Sequence, residues 1–162
     1  MRFSLRASVV LLAPGAALVD TDLFVGGTQG YSCFRLPNLV QLPTPGSLLA
    51  IAQGHFYDCS DGGRLDIVAR RSSDNGNTWD PMTLVHTESN EDANVTLGTP
   101  TLVADKGTGV VHLFICRDFA TVLLMNTTDG GEFLQTGLPS TLVCHKEYSF
   151  EAADSSSVQI ME

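Results

Sequence analysis

The sequence predicts an all-β fold made of repeated units of short strands, and three observations carry that prediction. Fifteen glycines and seven prolines are scattered among short Val, Leu and Ile runs, the mixture of turn formers and strand formers expected of a sheet protein. No stretch reads as a long amphipathic helix. One strand–turn–strand pattern also occurs twice. With 162 residues, 43% of them hydrophobic, the chain can bury one core and is not a disordered one.

The chain begins with Arg2 and Arg6, followed by an apolar run over residues 7–19 in which Gly15 and Ala17 are small enough for a cleavage site. This pattern predicts a secretory signal peptide at 1–19, and the run is too short for a membrane span. Pro14 interrupts the run, and an N-terminal core strand is the competing reading. Two sequons, at Asn94 and Asn126, are candidate glycosylation sites and fit an exported chain. The four cysteines, Cys33, Cys59, Cys116 and Cys144, are even in number, so an exported chain can pair them. Their spacing matches no zinc pattern. The expected location is the secretory pathway, as a secreted, lysosomal or membrane-associated protein without a transmembrane span.

The first copy of the repeat runs Leu36 to Val40, turns at Pro43 to Gly46 and returns as Leu48 to Ala52. The second runs Thr99 to Val103, turns at Lys106 to Gly109 and returns as Val110 to Phe114. Pro37 matches Pro100 and Gly46 matches Gly109, both at an offset of 63. Each hairpin leads to a further strand, Leu65 to Arg71 or Thr121 to Met125, and then to a polar turn. There Asp74 matches Asp129 and Gly76 matches Gly131, at an offset of 55. Units of this length with about four short strands are what propeller blades look like in sequence. The offset drops from 63 to 55, so the first copy carries eight more residues, and they fall in the loop from His55 to Gly63. Loops are where a repeated scaffold usually carries its chemistry.

Ser72 to Trp79 reads S-x-D-x-G-x-T-W, the pattern known as an Asp box. Ser72, Asp74, Gly76 and Trp79 have structural work to do in it. The aspartate folds back onto turn amides, the glycine takes a positive φ, and the tryptophan packs between sheets. Asp129 and Gly131 belong to a degenerate second copy. Other chemistry is absent from the pattern. Eighteen acidic residues against nine basic ones give a net charge of −9, the opposite of a nucleic-acid-binding surface. No phosphate loop, serine-hydrolase elbow or metal cluster is present, and no cofactor is expected.

Tyr31-Ser32-Cys33-Phe34-Arg35-Leu36-Pro37, followed at this distance by an Asp box, resembles the opening of the exo-α-sialidase catalytic domain. That resemblance covers about Tyr31 to Leu138 and is most specific from Phe34 to Trp79. It implies a six-bladed β-propeller, of which residues 20–150 hold about the first two to three blades, with 151–162 an unplaced polar tail. It implies that Arg35 is one of three arginines that clamp the carboxylate of a terminal sialic acid on a glycan substrate. A guanidinium fork suits that task. It places Asp61 on the general acid/base that protonates the leaving glycosidic oxygen.

The resemblance breaks at His55, which stands where the family has an arginine lining the sialic acid pocket. Histidine loses the permanent charge and the planar fork. Asp58 or Asp61 nearby is expected to raise its pKa and keep it charged in acid. The family's other two clamp arginines, its nucleophilic tyrosine and that tyrosine's glutamate belong to later blades, and Glu147 and Tyr148 match none of these. The chain is therefore expected to be a fragment or a degenerate copy that is inactive alone. Two functions are compatible with it: an exo-α-sialidase releasing terminal sialic acid, or a non-catalytic Asp-box propeller that binds glycans or proteins.

Overall fold

A computed structural model describes residues 4–8, 20–88, 95–129, 133–136, 142–144 and 150–152. They form an all-β, wholly antiparallel structure. Its strands are β1 (Ser4–Ser8), β2 (Asp20–Val25), β3 (Cys33–Gln41), β4 (Leu48–His55), β5 (Leu65–Ser72), β6 (Thr83–His86), β7 (Leu97–Ala104), β8 (Val111–Arg117), β9 (Thr121–Thr127), β10 (Leu134–Thr136), β11 (Leu142–Cys144) and β12 (Phe150–Ala152). The first repeat is the four-stranded meander β3-β4-β5-β6, and the second is β7-β8-β9-β10. The fourth strands, β6 and β10, follow the two polar turns.

The repeat extends to backbone detail. Pairing of β3 with β4 slips between Arg35 and Asn38, and pairing of β7 with β8 slips between Gly98 and Thr101. The cause is the same in both. Pro37 and Pro100 have no N–H to give the ladder, so the strand bulges there. The preceding residues, Leu36 and Thr99, take φ values of 47° and 42°. The loop from β4 to β5 is long and the β8–β9 connection is short, which locates the eight additional residues of the first copy.

Strands β11 and β12 pair with each other, and β12 takes in Glu151 and Ala152, at the start of the tail that the sequence left unplaced. Within the segment predicted as a leader, β1 pairs antiparallel with β2.

The main core lies between the two repeats. Leu49, Ile51, Leu65 and Ile67 of the first pack with Leu97, Val111, Leu113 and Ile115 of the second, all fully buried. The other face of the first repeat carries Ala50, Ala52 and Val68, covered by Leu23, Phe24, Tyr31 and Phe34. Strand β4 is thus buried on both faces, with small residues where aromatic rings lie close. Gln53 Nε2 donates to the Leu97 carbonyl at 2.7 Å and ties the end of β4 to β7.

Candidate functional site

Arg35 and Asp61 meet. Arg35 sits at the bulge of β3 and Asp61 in the β4–β5 loop, 26 residues later. Arg35 Nη1 donates to Asp61 Oδ1 at 2.7 Å and to the Cys59 carbonyl at 2.9 Å. A disulfide between Cys33 and Cys59 pins the same loop to β3. The hydroxyl of Ser32 donates to the Phe56 carbonyl, and the Ser60 amide donates to Asp58 Oδ1. The loop is therefore folded over the start of β3 by covalent and polar ties. Asp61 is 67% exposed at its side chain, against 28% for Arg35. Such a screened ion pair contributes at most about 1 kcal/mol.

His55 ends β4, almost fully buried on the core face, with Gln53 two residues before it on the same side. Its Nε2 lies 3.2 Å from Gln53 Oε1. Gln53 Nε2 is already donating to Leu97, so Oε1 must accept and His55 must carry its proton on Nε2. Nδ1 is left as an acceptor. The expected upward shift of the His55 pKa is wrong in sign. Burial and the Arg35 guanidinium hold it below the ordinary value, outweighing the opposing pull of Asp58 and Asp61. The carboxylates lose because they stand in solvent, where their field is screened.

A stability consequence follows for acidic solution. The unfolded chain protonates this histidine near pH 6.5, while the folded chain resists until lower pH. Unfolding is therefore favoured as pH falls from about 6.5 through the depressed folded value. His55→Gln should flatten that part of a urea-unfolding pH profile. An unchanged slope in the variant would show that His55 does not titrate in this window.

Beside this centre lies an aromatic platform that the sequence did not disclose. Tyr31 packs on Phe34 and Phe56, and its hydroxyl donates to the buried Asp66 Oδ2 at 2.7 Å. Burial and the Asp66 contact push the Tyr31 phenol well above its usual pKa. The Arg64 guanidinium stacks on the other partner, Phe56, at 4.3 Å from its centroid. His55, Asp58, Ser60 and Arg64 line a cavity of about 130 Å³. The available signal was alternation: Gln53 and His55 are two polar residues on one face of a strand that is otherwise apolar.

The turn after β5 is built by its own side chains. Asp74 Oδ1 accepts from the Thr78 amide at 2.8 Å, and Oδ2 accepts from the Thr78 hydroxyl at 2.7 Å. Ser72 Oγ donates to Asp74 and accepts from the Gly76 amide. Those bonds hold the Asp74 pKa below its usual range. Gly76 has φ 85°, and Trp79 Nε1 donates to its carbonyl. Trp79 is half-buried, packed with Met82 against one face of the first repeat. In the second copy Asp129 Oδ1 accepts from the Thr127 hydroxyl at 3.0 Å, the counterpart of Ser72 and Asp74. Gly131 and Asn94 lie outside the described residues. Asn126 is half-buried in β9 with His112 Nδ1 2.7 Å from its Oδ1.

Among the described residues no group of three or more His, Cys, Asp or Glu could hold a metal ion. No helix among them is long and apolar enough to cross a membrane. No family model matches the chain. Over 95 residues, 59% of this chain, it is 30% identical to a sialidase of Micromonospora viridifaciens and spans 14% of that protein's length. The chain is thus a distant relative of a sialidase over part of its length. A solved Trypanosoma rangeli sialidase in complex with sialic acid superimposes on 84% of the chain, using 23% of its own. That match has 14% identity and a TM-score of 0.49.

Proposed function

We propose that this chain is part of an exo-α-sialidase, a glycoside hydrolase releasing terminal sialic acid from glycoproteins, glycolipids or oligosaccharides. The observation that carries the reading is the meeting of Arg35 and Asp61 at 2.7 Å. It puts a carboxylate-binding fork beside a solvent-facing carboxyl group. A sialic acid carboxylate would take the place of Asp61 on Arg35, and the released Asp61, having taken up a proton from solvent, would pass it to the departing oxygen. The partial similarity to a sialidase supports the reading. Under it the two repeats are blades of a six-bladed propeller, with the turns at Asp74 and Asp129 as Asp boxes.

The disulfides at Cys33–Cys59 and at Cys116 favour an oxidising compartment, and so a secretory-pathway location reached through a leader at 1–19. A second reading, a non-catalytic propeller that binds glycans or proteins, is favoured by one observation. His55 is buried, with its pKa depressed, where the family has a charged arginine.

Alone, the 162 residues should show no turnover, because only Arg35 and Asp61 match the reacting machinery and such groups fail together. Release of free sialic acid from a sialoside by the purified chain, above a mock control, would overturn that expectation. The reading itself is tested by titrating the labelled chain with N-acetylneuraminic acid and following the Arg35 Nε–H signal by NMR. A shift that is lost with the methyl ester supports it. No shift at millimolar ligand counts against it.

A further inference from the structure

The cavity beside the Arg35–Asp61 pair has a composition that neither residue explains. One wall is the Arg64 guanidinium, its face on the Phe56 ring. Arg64 Nε is buried without a hydrogen-bond partner, and no ion pair engages its guanidinium among the described residues. The backbone holds the group in place, because the Arg64 carbonyl accepts from the Phe56 amide and β5 begins at the next residue. Opposite charge is supplied by Asp58, whose Oδ1 is tied to the Ser60 amide. His55 contributes a ring whose Nδ1 is an acceptor, since its Nε2 proton is committed to Gln53.

The walls thus offer donors at Arg64 and acceptors at Asp58 and His55, with the Ser60 hydroxyl bonded to the Gly62 carbonyl. A simple anion would use Arg64 and be repelled by Asp58. A simple cation would meet the reverse. A pair of neighbouring hydroxyl groups can donate to the acceptors and accept from the guanidinium at once. The volume of about 130 Å³ is below the several hundred Å³ of a whole-ligand pocket. It suits the diol end of a larger molecule. Gly62 and Gly63 keep that side of the rim free of side chains.

We infer that this cavity is a diol subsite in which Arg64 binds a vicinal pair of sugar hydroxyls, with Asp58 and His55 accepting their protons in hydrogen bonds. The inference rests on the hydrolase reading only for the identity of the larger molecule. Arg64 thereby supplies the fork that His55 lacks. Its stacking on Phe56 keeps the guanidinium in one plane, so little freedom is lost on binding.

The test uses the labelled 162-residue chain and two small probes: erythritol, a neutral polyol, and acetate, a carboxylate without hydroxyls. Erythritol should shift the ring signals of His55 and the Nε–H of Arg64 while leaving Arg35 unmoved. Arg64→Met should weaken erythritol binding about tenfold, the loss of one charged hydrogen bond, and leave the unliganded His55 ring signals as they are. Arg64→Lys, which keeps the charge without the fork, should fall between, and it carries the test if the methionine variant does not fold. Erythritol leaving His55 and Arg64 unmoved, or binding both variants as well as the parent, overturns the inference. Acetate shifting Arg64 more than erythritol does overturns it in favour of an anion site. If N-acetylneuraminic acid fails to shift Arg35 while erythritol still shifts Arg64, the hydrolase reading fails and the diol subsite stands.

Discussion

In a full-length protein that carries this segment and hydrolyses sialosides, Asp61→Ala should lower kcat on natural substrates by about 10²–10⁴-fold, the usual contribution of a general acid. Two features sharpen the expectation. Aryl sialosides, whose leaving group departs without a proton, should lose much less. KM should not rise and should fall modestly, because the carboxylate removed is the one that occupies Arg35 in the free protein. Arg35 is then open to the substrate carboxylate without first giving up an ion pair. The pair is exposed on the Asp61 side, so the gain in binding stays within the small range of surface salt bridges. Steady-state kinetics on one natural and one aryl sialoside check both statements. Equal losses on the two substrates would reduce Asp61 to a loop-holding role, the one its bond to Arg35 also permits.

Much of the scaffold was legible because it is repetitive and local. Pro37 and Pro100, at the same offset as Gly46 and Gly109, mark hairpins whose bulges the structure repeats residue for residue. The turn at Asp74 was legible for the same reason, since its bonds run among residues at most four apart. Strands whose hydrophobic runs are three or four residues long were not. Strand β10 has too little periodicity to be told from loop.

The candidate site was legible only where a spacing resembled a family. Arg35 and Asp61 were singled out on that ground, and the fold brings them together. The sign of the His55 shift was missed because it depends on burial, and burial on the core face of β4 is a tertiary fact. Proximity of carboxylates in sequence suggested attraction, but Asp58 and Asp61 point to solvent while Arg35 acts on the same ring. Arg64 escaped notice for a similar reason. Nothing in Gly62-Gly63-Arg64 announces that Phe56, eight residues earlier, lies beneath its guanidinium. The pairing of Cys33 with Cys59 was likewise one of several that four cysteines allow.

Gly54→Ala should be the most damaging conservative change in the strands, costing about 3 kcal/mol, the upper part of the range for overpacking a core. Gly54 lies on β4 opposite Phe34, on the face that carries Ala50 and Ala52. A β-carbon there would stand 2.7 Å from Tyr31 Cδ1 and 2.9 Å from Cε1 and Cγ, inside the contact distance of carbon atoms. The ring cannot simply tilt away. Phe34 and Phe56 flank it, and its hydroxyl is bonded to Asp66. Moving Tyr31 would strip a buried carboxylate of that partner, a second penalty that grows as the first is relieved. Phe56 touches the Tyr31 ring and carries the Arg64 guanidinium, so the same change should disturb the Arg64 stack. Urea unfolding of Gly54→Ala, Tyr31→Leu and the double variant separates these effects. With the ring removed, the alanine should cost less than about 1 kcal/mol more. If it costs as much in the Tyr31→Leu background as in the parent, the glycine answers to something other than the tyrosine ring.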